Sequence, residues 1–238
     1  MSGKFRVGDK EIRYKVKRGN SSKYLSLKLK PNLELEIILP HGLKLDVEEI
    51  LNKRRAWIEE TYNKLLNARK IFDNGRILYR GGLYNIRIIH RIKNGSKVES
   101  DEKTKTITIY ADRKDSSSAL RRWMKEKTKN YVRKEVDKYT KTLGIEFNKI
   151  YIRDMRKWGS CSRKRNLSFN WQLIALPEKL AEYVIIHEAV HLTEFNHSKS
   201  FHEKIISLCP DYKEREKMLK KYLLTPLPQP LIKENFLV

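Results

Sequence analysis

Cysteine is nearly missing from this chain of 238 residues. The two that occur, Cys161 and Cys209, lie far apart with no paired spacing, which excludes a disulfide framework and fits thiols kept reduced in the cytoplasm. Long apolar runs are missing too. No stretch approaches the length needed to cross a bilayer, and the opening MSGKFRVGDK lacks the apolar core of a secretory signal, so a soluble cytoplasmic protein with no membrane partner is expected. Acidic residues are scarce: 29 Asp and Glu face 52 Lys and Arg, a formal charge of +23. That deficit makes a polyanionic partner an expectation to test. It is also local, because residues 121–165 carry 16 basic and 5 acidic side chains, a net of +11, whereas residues 166–238 carry 9 of each.

What the chain does have is two kinds of rhythm. Up to about Arg113, short alternating or β-branched runs such as Tyr24 to Leu29, Leu35 to Leu39, Tyr84 to Ile89 and Thr106 to Tyr110 predict strands. Turn residues separate them, among them Gly19-Asn20, Pro31-Asn32, Pro40-His41-Gly42, Asn74-Gly75, Gly81-Gly82 and Asn94-Gly95. One helix interrupts the strands, with Asp46 as N-cap, Glu49 three residues on, and Val47, Ile50, Leu51, Trp57, Ile58 and Leu65 as its apolar stripe. Beyond Asp115 to Ser118 a charged helix is predicted over 119–142, ending near Gly144, with Leu120, Trp123, Met124, Tyr131, Val132, Val136 and Tyr139 inward. Two short strands follow, at 149–153 and 166–171, the second a candidate edge strand to which an extended peptide could add. No internal sequence repeat is evident.

Pro177 opens the helix that carries the chemistry. Residues 180–192 are apolar nearly all the way round, the mark of a helix buried inside a domain. Within it, His187-Glu188-Ala189-Val190-His191 places two imidazoles one turn apart on one face, able to reach one zinc ion, with Glu188 beside them as candidate general base. Two histidines and a carboxylate on such a helix would be costly to bury without a partner. A third protein ligand leaves one position open for water. His197, six residues after His191, fits best; Glu194 and Glu203 compete, and a left-handed Asn196 could turn the chain back toward the metal. His202 is expected to face substrate. A further helix should begin near Ser198, another should run to about Tyr222, and the tail at 225–238 alternates prolines with leucines as an extended segment.

The run Trp158-Gly159-Ser160-Cys161-Ser162, then Leu167 to Trp171, Pro177, Tyr183 to His191, and Asn196-His197-Ser198 with Phe201 together resemble the YgjP-like metallopeptidase family, relatives of the WLM and SprT-like zincins. The resemblance is close over about 148–208 and looser upstream. It implies a zincin-like α+β catalytic domain; with the strand and helix patterns this gives an α+β chain of a β-rich N-terminal region with one long helix (1–113), a helical catalytic domain with a small sheet (114–224) and the tail (225–238). It also implies zinc on His187, His191 and His197, with Glu188 catalytic. The chain departs from the family pattern at Arg163-Lys164-Arg165, where glycine is usual, and at His202, where tryptophan is usual.

The leading expectation is therefore a zinc-dependent hydrolase acting on polypeptide, with Trp158, Arg163, Asn170 and His202 as candidate substrate contacts. Two alternatives keep the positive stretch in view. One is a metal-dependent pyrophosphatase of nucleoside triphosphates, using Arg153, Arg156, Lys157, Arg163, Lys164 and Arg165. The other is a DNA-associated protease or nucleic-acid-binding protein that uses the basic face of 121–165. A nucleophilic Cys161 is the weakest reading, since an activated water already supplies a nucleophile.

Overall fold

In the computed structural model, described for residues 2–19, 24–30, 32–40, 42, 46–73, 75–90, 95–112, 115–155, 157–220 and 222, the chain forms two compact units that divide between Asn74 and Gly75. The predicted tail at 225–238, Arg156, and the turn residues Asn20, Pro31, His41, Asn74 and Asn94 lie outside the described residues.

The first unit begins with β1 (Ser2–Val7), β2 (Lys10–Gly19), β3 (Ser26–Leu29) and β4 (Leu35–Pro40), a sheet in the order β1-β2-β4-β3. β2 runs parallel to β4, and the outer pairs are antiparallel. Phe5, Val7, Ile12, Leu35, Ile37 and Leu39 form the buried side of the sheet. The predicted single helix is in fact two, α1 (Val47–Lys53) and α2 (Arg55–Asp73), broken at Arg54. Asp46 does cap α1, but its side chain accepts from the Glu48 amide at 2.8 Å rather than closing a box with Glu49. Trp57 is a correction of the predicted stripe: it is 40 % exposed, because Ile58 and Leu65, seven residues apart, set the buried face of α2 and Trp57 falls about 100° round the helix from Ile58.

The second unit opens with the same topology. β5 (Arg76–Tyr79), β6 (Gly82–Ile89), β7 (Lys97–Asp101) and β8 (Thr106–Tyr110) lie in the order β5-β6-β8-β7, with β6 parallel to β8 and antiparallel outer pairs. A strand arrangement is thus repeated where the sequence shows no repeat. This sheet is followed by α3 (Ser116–Leu143), which buries Leu120, Trp123, Met124, Val132, Val136 and Tyr139 and ends on Gly144 in the left-handed conformation at φ 64°. Trp123 meets Tyr79 at a ring distance of 4.9 Å. The sequence-based division after residue 113 falls inside this unit.

A three-stranded sheet comes next: β9 (Ile150–Arg153), β10 (Gly159–Cys161) and β11 (Leu167–Asn170), ordered β10-β11-β9. The strand containing Leu167 was expected at an edge and is instead central, flanked by parallel β9 and antiparallel β10. The edges are β10 and β9, and β10 is the one that packs beside α4. In the turn from β10 to β11, Arg165 takes φ 57°, the left-handed conformation that favours glycine, so arginine stands where glycine would be less strained.

After a 3-10 turn (Trp171–Ala175) come α4 (Glu178–Val190), α5 (Lys199–Leu208) and α6 (Tyr212–Leu219). Pro177 stands just ahead of α4 rather than in its first turn. The N-terminus of α4 rests on the β5–β6 hairpin. Arg80 and Gly81 both have positive φ, as a two-residue hairpin turn requires, and their amides donate to the carbonyls of Ile174 and Ala175 at 2.8 and 3.0 Å. A Cβ on Gly81 would lie 2.8 Å from Pro177 Cα, so only glycine fits this contact. Leu180, Val184, Ile185, Ile186, Ala189 and Val190 of α4 sit in the core with Val132 and Val136 of α3, Phe169 of β11, and Phe201 and Ile205 of α5.

Candidate metal centre

α4 stops one residue short of His191, and the way it stops brings the third histidine in. Instead of a left-handed Asn196, which is not among the positive-φ residues, the chain tightens to shorter bonds: Leu192 N–H to Ala189 O at 3.0 Å and Thr193 N–H to Val190 O at 3.1 Å. The Glu194 carbonyl then accepts from His191 Nδ1 at 2.7 Å. A carbonyl can only accept, so Nδ1 must hold the proton and Nε2 keeps its lone pair for a cation. Ser198 caps α5, its Oγ accepting from the Phe201 amide at 3.3 Å, and His197 is delivered just ahead of that cap.

The three side chains converge. His187 Nε2 lies 3.2 Å from His191 Nε2 and 3.2 Å from His197 Nε2, and the three donor atoms lie within 4.8 Å of one another. Two nitrogens bound at about 2.0–2.1 Å to one tetrahedral ion stand about 3.3–3.4 Å apart, so the two 3.2 Å spacings from His187 suit neighbouring ligands of one divalent ion. The Phe201 ring lies 5.0, 4.7 and 4.7 Å from the rings of His187, His191 and His197, a common wall that fixes all three. Burial, reinforced by His191 and His197, pushes the His187 pKa down to about 4, which keeps it in the neutral form a metal needs. The competing carboxylates are engaged elsewhere. Glu194 pairs with Lys204 at 2.7 Å and accepts from Ser200 at 2.9 Å, and Glu203 faces Lys199 at 3.7 Å.

Glu188 points off the same turn of α4 toward β10 and is buried. Burial raises its carboxyl to about 8, with Lys157 acting in the opposite sense. A dication held by the adjacent histidines would favour the carboxylate. Gly159 makes room for it: a Cβ there would stand 2.6 Å from Glu188 Cγ and 2.8 Å from Oε1. Cys161, two residues on, has its thiol pushed up to about 11 by burial and by the Glu188 charge, so it is no thiolate nucleophile at neutral pH.

Of the other predicted contacts, Trp158 lines a cavity with His187 and Glu188, His202 stands behind Phe201, and Arg163 and Asn170 do not join them. Trp158 packs on the edge of the core beside Gly159. Asn170 is buried and turned to the main chain: its Nδ2 donates to Met155 O at 2.6 Å, and its Oδ1 accepts from the Gln172 amide at 2.8 Å. Arg163 is exposed in the β10–β11 turn. His202 packs edge-on to Phe201 and against Tyr212 at 5.9 Å, its Nδ1 buried without a hydrogen-bond partner. Part of the positive stretch is answered locally, since Arg121 and Lys125 pair with Asp154, Arg133 with Asp137, and Lys138 with Glu135 and Glu182. The roles of Gly159 and Phe201 are not readable from motif spacing alone. Both stand among the residues that carry the family resemblance, which marks the positions but not what they do.

Among solved structures, the chain is similar to the metallopeptidase zymogen abylysin of Pyrococcus abyssi, with 23 % identity and a TM-score of 0.37 over 41 % of this chain and 99 % of the other. It is similar also to the metallopeptidase zymogen jannalysin of Methanocaldococcus jannaschii, with 24 % identity and a TM-score of 0.33 over 38 % of this chain and 95 % of the other. No curated protein matches the sequence. The model of the YgjP-like metallopeptidase domain matches residues 23–222, most of the chain from the first sheet through the three histidines to the end of α6, and the chain belongs to that family.

Proposed function

We propose that the protein is a zinc-dependent peptidase in which His187, His191 and His197 hold the ion and Glu188 is the general base. The observation that carries this reading is the buried Glu188 carboxyl between a three-imidazole cluster and the edge strand β10. Zinc bound there supplies Lewis acidity toward water and the substrate carbonyl. Glu188 takes one proton as the water oxygen bonds to the carbonyl carbon, then returns it to the nitrogen as the C–N bond breaks. Atoms balance: one water is consumed, and one carboxylic acid and one amine are released.

The β10 edge offers a way to hold the peptide. Asn170 N–H bonds Trp158 O, and Ser162 N–H bonds Asn166 O, both at 2.9 Å. By the alternation of an antiparallel pair, Ser160 faces β11, while the N–H and C=O groups of Gly159 and Cys161 point the other way. An extended peptide paired there would be gripped by its main chain beside Glu188, with little demand on sequence.

Hydrolysis of an unfolded protein by the zinc-loaded chain should fall about 10²- to 10⁴-fold in Glu188→Gln and cease with a chelator. Equal rates in the wild type, the variant and the chelated sample would sink the proposal.

A further inference from the structure

Beside the proposed reaction centre lies a cavity of about 350 Å³, at the small end of the range for ligand sites. One wall is Trp158 and Gly159 at the β10 end; the floor is Tyr183 and Val184, one turn of α4 before His187 and Glu188; the far wall is Leu219 and Tyr222 at the end of α6. Tyr183 and Val184 are buried, and Trp158, Leu219 and Tyr222 pack against the same core, so the lining is predominantly apolar and aromatic. Glu216 and Lys220 pair with each other at 3.0 Å, so they offer no free charge to a guest, and the other ionisable lining groups, His187 and Glu188, belong to the proposed reaction centre.

The far wall is held in place. Arg215 of α6, whose side chain is only 15 % exposed, bonds Glu182 Oε2 of α4 at 2.7 Å, the Lys179 carbonyl at 3.0 Å and Asp211 at 3.0 Å. Tyr139 of α3 donates to the other oxygen of Glu182. Two elements distant in sequence are thereby locked at the spacing that leaves the cavity open.

Its position relative to the histidines decides what enters. The cavity is lined by His187 and Glu188 but by neither His191 nor His197, so it lies on the general-base side of the cluster. In the proposed reaction Glu188 delivers its proton to the departing nitrogen, which must therefore lie on that same side. We infer that this cavity is a specificity pocket for the residue whose amine departs, and that it takes one large uncharged apolar or aromatic side chain. This rests on the peptidase reading of the site, whereas main-chain pairing on β10 would leave sequence to be read mainly here.

Two measurements test it. In the first, zinc-loaded protein digests a library of unfolded peptides and the cuts are mapped. Leu, Met, Phe or Tyr should follow the scissile bond at least about 10-fold more often than Ala, Asp or Lys. Leu219→Glu should reverse that order in favour of Lys and Arg. In the second, leucinamide, phenylalaninamide, alaninamide and lysinamide are titrated into Glu188→Gln with methyl-labelled Val184 and Leu219, with and without zinc. The first two should shift both methyl signals, and the last two should not. Cleavage without preference at that position, or with a preference unmoved by Leu219→Glu, overturns the pocket and leaves the peptidase reading standing. No cleavage by the wild type, together with the expected methyl shifts, overturns the peptidase reading while the apolar pocket holds. Methyl signals that ignore all four amides overturn the pocket whatever the turnover.

Discussion

Gly159 has an ordinary backbone conformation, so its reason for being glycine is steric: Glu188 occupies the space where a Cβ would be. Gly159→Ala must therefore move the Glu188 side chain rather than strain the main chain. We expect peptide hydrolysis to drop about 10- to 100-fold, the scale of a misplaced reacting group, with zinc affinity unchanged because the imidazoles are untouched. Parallel rate measurements and zinc titrations separate these effects, and a variant with wild-type rate would show that Glu188 has a second productive rotamer. At this scale the sequence is legible where chemistry is local. His187, Glu188 and His191 follow from one turn of helix, while the contact between Gly159 and Glu188 joins a strand to a helix 29 positions away and leaves no periodic trace.

Phe201 belongs to the next scale, because α5 presents it to three rings at once. It is fully buried, and Phe201→Ala should cost about 3–5 kcal/mol of unfolding free energy and weaken zinc binding as the imidazoles lose their common wall. Phe201→Leu should recover part of both losses; denaturant melts and zinc titration read them. The helix elements were largely legible, since α3 and α4 carry long apolar stripes ended by Gly144 and opened at Pro177. The break at Arg54 and the central place of β11 were not. Strand order depends on pairing between distant segments, which has no local period.

For the whole molecule, the metal cluster lies entirely in the unit that begins at Gly75. Zinc at 1,000 times its dissociation constant should stabilise that unit by about 4 kcal/mol and raise its melting temperature by about 8–16 °C, leaving a transition of the first unit unchanged. Calorimetry with zinc and with chelator tests this; equal shifts in both transitions would show that the units do not unfold separately. Acid should act on the first unit through a different group. Lys17 and Lys30, at 2.8 and 2.9 Å, hold the Glu36 carboxyl down at about 2, against its usual value of 4.5. A depressed folded-state pKa stabilises fully above the unfolded value, so this contribution is present above about pH 4.5 and lost as the pH falls toward 2. In Glu36→Gln that part of the acid sensitivity should vanish, as a pH series of first-unit melts would show.

Local sequence carries the placement of His187, Glu188 and His191 on one helical turn, the buried character of that helix, the strand-rich start and the family. Period and spacing encode the first three within a few positions of chain, and the order of several short motifs between Trp158 and Phe201 carries the last. Only the tertiary structure decided that two sheets share one topology, that a hairpin tip seats the N-terminus of α4, that β10 and not β11 is the open edge, and that a locked α6 leaves an apolar cavity beside Glu188. Each of these is a meeting of distant segments, settled by which surfaces can be buried together and not by any short stretch of chain.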